Sequence, residues 1–138
     1  MKERVSILIL FLLFVPIVRA WETWTFMVTA DSRSESHDVN LGVNVPILTE
    51  MVNEILTQNP DLFLFAGDLV VGNTTQDILE EEFLQWRQVM QPIYQAGIPV
   101  YIVRGNHDGG SSAVTTAWNN VFKDETGSGG LEQILFFC

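Results

Sequence analysis

Cysteine is nearly absent from this sequence: among 138 residues there is one, Cys138, at the last position. A single thiol excludes an internal disulfide and any CxxC-type zinc or redox site. Histidine is almost as scarce, with only His37 and His107. Basic residues are also few, seven Lys and Arg against 17 Asp and Glu, for a net charge of −10. They are scattered singly, so no basic stripe exists to follow a phosphate backbone, and dedicated nucleic-acid binding is excluded. Internal repeats and low-complexity tracts are missing.

The one long apolar run lies at the start. Lys2 and Arg4 form a basic region, residues 5–18 an apolar core broken by Ser6 and Pro16, and Val18 and Ala20 a small-residue site before Trp21. The run is shorter than the roughly 20 residues a spanning helix needs. Residues 1–20 therefore read as a signal peptide, predicting export to a periplasmic or extracellular compartment and no membrane contact after cleavage. An uncleaved anchor is the alternative. Removing this segment takes away Lys2, Arg4 and Arg19 against Glu3, which leaves residues 21–138 more acidic still.

Beyond it, strand and helix periods alternate. Residues 24–30 (WTFMVTA) predict a strand and 31–44 a polar loop. Over 45–58, Leu48, Met51, Val52, Ile55 and Leu56 recur at helical spacing, with Asn44 as N-cap and Pro46 in the first turn. Residues 62–66 (LFLFA) are apolar at every position, as in a parallel strand covered on both faces. A second helix over 76–95 carries the stripe Leu79, Phe83, Trp86, Met90 and Ile93 and stops at Gly97. A third strand follows over 98–103, then a short helix in SSAVTTAWNNVF, a loop in KDETGSGG and a last strand in LEQILFFC. The order predicts an α/β fold with a mostly parallel βαβαβ sheet and right-handed crossovers.

In such sheets the ligand crevice lies outside the carboxyl ends of the strands. Each of the first three strands here ends in a loop bearing Asp or His: Asp31, then Asp68, then Asn106, His107 and Asp108. Two carboxylates, an amide oxygen and an imidazole are donors suited to hard or borderline divalent cations. In a two-metal site one carboxylate must bridge ions about 3.5–4 Å apart, and Asp68, on the middle loop, suits that place. Each residue also has a plainer reading: Asp31 as a loop cap, Asp68 in a Gly-Asp turn, Asn106 and His107 satisfying their own backbone. That all three coincide at matching strand ends favours a site.

TADSR at 29–33, GDLV at 67–70 and GNHD at 105–108, at nearly equal intervals, resemble the ordered motifs of the calcineurin-like metallophosphoesterase superfamily. The resemblance covers about residues 22–122, the N-terminal half of a four-layer α/β/β/α sandwich in which two sheets pack between helical layers. It implies a metal-dependent hydrolase of phosphomonoesters or phosphodiesters with a dinuclear centre of manganese, iron or zinc. Asp31 would ligate the first metal, Asp68 would bridge both, and Asn106 would ligate the second. His107 would act beside the scissile phosphate and Asp108 would orient it. The substrate would be a phosphorylated small molecule or macromolecule; nothing in the sequence sets an oligomeric state.

Two departures qualify the match. The family's first motif is Asp-x-His, and position 33 is Arg. An arginine offers no lone pair to a metal, so Arg33 reads either as a clamp on a substrate phosphate oxygen or as a solvated loop cation. His37, in the same loop, is a candidate substitute. The family also takes histidines from its C-terminal half, a lone His and a Gly-His-x-His stretch, which this sequence does not contain. Residues 21–138 are thus expected to be a C-terminally incomplete phosphoesterase domain. The alternative is a non-catalytic secreted α/β module binding a phosphorylated ligand or partner through a degenerate metal site. The tyrosine that follows the second motif in purple acid phosphatases is absent, with Val70 and Val71 there instead.

Overall fold

The structure, a computed structural model, describes residues 23–35, 42–122 and 132–134. The expected leader, His37 and Cys138 lie outside the described residues. Four parallel strands, β1 (Phe26–Thr29), β2 (Leu62–Phe65), β3 (Val100–Ile102) and β4 (Glu132–Ile134), pair in sequence order. Between them run α1 (Val45–Gln58), α2 (Gln76–Gln95) and α3 (Ser112–Phe122). Stepping across a sheet in one direction with one crossover hand puts every helix on the same face. Accordingly α2 packs against both α1 and α3.

The helix bounds follow local chemistry. Asn44 Oδ1 accepts from the Ile47 N–H at 3.3 Å, capping α1, and Asn59 ends it in a left-handed conformation. Gly97, at φ +78°, terminates α2 in a Schellman arrangement: its N–H donates to Tyr94 O and that of Ile98 to Ile93 O. Pro92 falls in the last turn of α2, and the helix still runs on to Gln95. The predicted stripe of α2 is completely buried. In α1, Leu48, Val52 and Ile55 are buried, whereas Met51 and Leu56 sit at the margin.

Strand alternation divides the sheet into two unlike faces. Phe63, Phe65, Val100 and Ile102 point into the helical layer, where Phe65 meets Trp86 edge-to-face and Phe83, Trp118 and Phe122 form an aromatic cluster. The opposite face presents Phe26, Val28, Leu62, Leu64 and Tyr101 in register. It is not covered by any described element: Phe26 and Val28 are 54% and 53% exposed. This corrects the two-sided burial expected of β2. Its uninterrupted apolar run has one side under helices and the other forming a shallow apolar depression with Trp24 and Tyr101. The strands are also shorter than expected: β1 and β3 each begin two residues later, and all three end one residue earlier.

Candidate active site

The loops after β1 and β2 are joined before any side chain is considered. Asp31 N–H donates to Gly67 O at 3.0 Å and Ser32 N–H to Asp68 O at 3.1 Å. The two aspartates, two residues past β1 and three past β2, both have left-handed backbones, Asp31 at φ 58° and Asp68 at φ 59°. Non-glycine residues enter this region uncommonly, and such conformations concentrate at functional sites. Ser32 between them is fully buried: its hydroxyl donates to Leu69 O at 3.0 Å and accepts from the Trp86 indole at 3.1 Å. That serine anchors the first loop to α2, a role the sequence reading did not assign.

The loop after β3 closes over Asp68. Its His107 N–H donates to Asp68 Oδ1 at 2.9 Å. Gly105 lies so close that a Cβ there would overlap the Asp68 backbone nitrogen and Oδ1. The glycine of GNHD is thus set by the approach of this carboxylate. Asn106 is exposed at the rim.

His107 and Asp108 part company in the folded chain. The ring is held not by Asp108 but by the backbone, with Nδ1 and Val71 O 2.6 Å apart. A carbonyl can only accept, so Nδ1 carries the proton and Nε2 is left for other work. The orienting role expected of Asp108 therefore falls to Val71. Asp108 is completely buried, and its carboxylate accepts from the backbone N–H groups of Leu69, Val70 and Gly105 at 3.0–3.4 Å. Burial pushes its carboxyl up from the usual value, against the opposing pull of those N–H donors. It locks the second and third loops together, holding both the segment that ends at Val71 and the turn at Gly105 that precedes His107. Arg104 Nε donates to Asp108 O at 2.6 Å, and its guanidinium lies over the Trp118 ring at 5.4 Å. Because Val71 contributes a backbone carbonyl, no sequence signal could have found it; Arg104, adjoining the motif, was visible but unassigned.

Arg33 is not a freely solvated loop cation but is paired within its own loop. Its Nε and Nη2 donate to the two Asp31 oxygens at 2.7 and 2.9 Å, and Nε stands 3.9 Å from Asp68 Oδ2. This bidentate pair holds the Asp31 carboxyl below its usual value, chiefly through the hydrogen bonds themselves. An antiparallel bridge to Val43 fixes the Arg33 backbone.

The donor set fits a divalent cation unevenly. Asp68 and Asn106 offer oxygen atoms suited to one hard ion, while both Asp31 oxygens already face a guanidinium. Among the described residues no three of His, Cys, Asp and Glu converge to share a metal. An ion shared by Asp31 and Asp68 would have to compete with this guanidinium.

No curated protein matches the chain. Among models of protein families, Calcineurin-like phosphoesterase matches residues 26–135, a span that takes in all three motif loops. Members of this family generally use two divalent metals in phosphoester hydrolysis, and with most of its length matched the chain belongs to the calcineurin-like phosphoesterase family.

Proposed function

We propose that the chain hydrolyses a phosphomonoester or phosphodiester at the strand-end crevice, with Asp68, Asn106 and His107 as the working edge. The observation that supports this most directly is the closure of the third loop on Asp68, His107 N–H to Oδ1, with the imidazole Nδ1 tied at Val71. A divalent ion held through Asp68 and Asn106 would supply Lewis-acid polarisation of a phosphoryl oxygen. His107, its ring plane set by the Nδ1–H bond, directs Nε2 to proton transfer: protonated, it can deliver that proton to the leaving oxygen. Arg33 keeps guanidinium N–H groups beyond those used on Asp31 and can donate them to a phosphoryl oxygen.

The test is turnover of p-nitrophenyl phosphate and its bis ester by the full chain with added Mn²⁺. Asp68→Asn and His107→Ala are each expected to abolish hydrolysis while leaving far-UV circular dichroism unchanged. Retained turnover in both variants overturns the assignment. A second reading, a binding module without turnover, is favoured by one feature, the neutralisation of Asp31 by Arg33. It predicts saturable phosphate binding with no hydrolysis in the wild type. The exported setting is part of the proposal, and N-terminal sequencing of the secreted protein should begin at Trp21.

A further inference from the structure

In the first loop a cation stands two residues after Asp31, covalently part of the chain. Both Asp31 oxygens accept from the Arg33 guanidinium, at 2.7 and 2.9 Å, and the same Nε approaches Asp68 Oδ2 to 3.9 Å. The guanidinium therefore lies between the two carboxylates that the family's motifs would use to hold a first ion. Its position is not incidental. Arg33 is pinned through its backbone to Val43, Ser34 N–H donates to Gly42 O, and the neighbouring Ser32 is buried under Trp86. Reorienting the guanidinium would require breaking two charge-assisted bonds at once. An arginine stays protonated at any working pH, so this positive charge cannot be titrated away to admit a metal.

We infer that Arg33 is a built-in replacement for one metal ion: its guanidinium neutralises Asp31 and faces Asp68, and the site takes a divalent cation only on the Asp68–Asn106 side. The inference rests on the metal-dependent reading of the site given above. Its consequence is a mononuclear centre paired with a fixed guanidinium in place of a dinuclear one. A phosphoryl group bound there would meet one exchangeable cation and one permanent, planar donor. A second divalent ion would meet charge repulsion and would have to share both Asp31 oxygens with the guanidinium.

Mn²⁺ alone is the probe, so the test needs no turnover. The full chain, stripped and re-equilibrated, is assayed for bound manganese by equilibrium dialysis and for spin coupling by electron paramagnetic resonance. Arg33→His, which exchanges the guanidinium for a ligand, is expected to bind one more Mn²⁺ per chain than wild type. The added ion should give a coupled spectrum, since paired ions sit about 3.5–4 Å apart. Arg33→Lys, which keeps the charge, is expected to stay at the wild-type stoichiometry. Two coupled ions in the wild type, or no gain in Arg33→His, overturn the inference. Should Arg33→His fail to fold by circular dichroism, Arg33→Ala decides: uptake about tenfold tighter or more supports the inference, and unchanged uptake sinks it. Failure of the hydrolytic assignment would show instead as turnover surviving both Asp68→Asn and His107→Ala, so the two failures read separately.

Discussion

Replacing Asp108 with alanine should destabilise the fold far more than its place in a glycine-rich loop suggests. The carboxylate is wholly buried and accepts from Leu69 N at 3.0 and 3.1 Å, Val70 N at 3.4 Å and Gly105 N at 3.0 Å. Leu69 and Val70 have no exposed surface, so water cannot take over as acceptor. A buried donor left unsatisfied costs about 1–3 kcal/mol, and bonds to a charged acceptor contribute about 1.5–3 kcal/mol each. Relief of the carboxylate's desolvation offsets part of that, and partners that share one acceptor do not add fully. The expected net loss is about 3–5 kcal/mol, against a total stability on the order of 5–15 kcal/mol for a domain. With a urea slope of about 2 kcal/mol per molar, the midpoint should fall by roughly 1.5–2.5 M at unchanged slope. Urea unfolding followed by circular dichroism at neutral pH measures it. Asp108→Asn should fall in between, because one amide oxygen can still accept while the NH₂ group faces backbone donors. A midpoint for Asp108→Ala within about 0.5 M of wild type, on the same slope scale, would refute the reasoning.

Gly105→Ala puts a methyl group onto the Asp68 backbone nitrogen and carboxylate, so it should displace the Asp68 loop; a loss of at least about 2 kcal/mol is expected in the same unfolding assay. The Asp31 carboxyl, held below 3.8 by Arg33, contributes stability that is present above that value and is lost as pH falls through its lowered one. Arg33→Ala should return it toward 3.8, read from the side-chain carbon shift in NMR titrations; an unchanged midpoint would contradict the pairing. On the open sheet face, Phe26 and Val28 stand exposed beside Trp24. Phe26→Lys with Val28→Lys should reduce self-association in sedimentation velocity and lower dye binding without loss of helix, and an unchanged sedimentation profile would mean that this face does not drive association.

Much of the architecture was legible because it rests on local chemistry. The start of α1 follows from an Asn N-cap and the end of α2 from a Gly in the C′ position, and the structure reproduces them. The strand ends were legible from where apolar runs stop at Asp and Gly. Less was legible about burial. LFLF reads alike whether one or both faces of a strand are covered, since an apolar run contains no record of which neighbour arrives. Only the exposure of Phe26 and Val28, in register with Leu62 and Leu64, shows the face left open by the described elements.

The site divides along the same line. Residue type and order in the sequence determined that Asp31, Asp68, Asn106 and His107 reach one edge of a parallel sheet, because strand ends of one direction lie side by side. Which atoms meet which was decided by the tertiary structure. Asp108 and His107 are neighbours in sequence, yet the first is drawn inward by three backbone donors while the ring of the second is held by Val71 O. Arg33 was a choice between substrate clamp and loop cation in the sequence; in the fold it is the counter-ion of Asp31. The physical reason is common to both. A side chain's chemistry is carried by its residue type, but its partner is set by backbone geometry and burial, whether that partner is two residues away, as for Arg33 and Asp31, or more than thirty, as for Asp108 and Leu69.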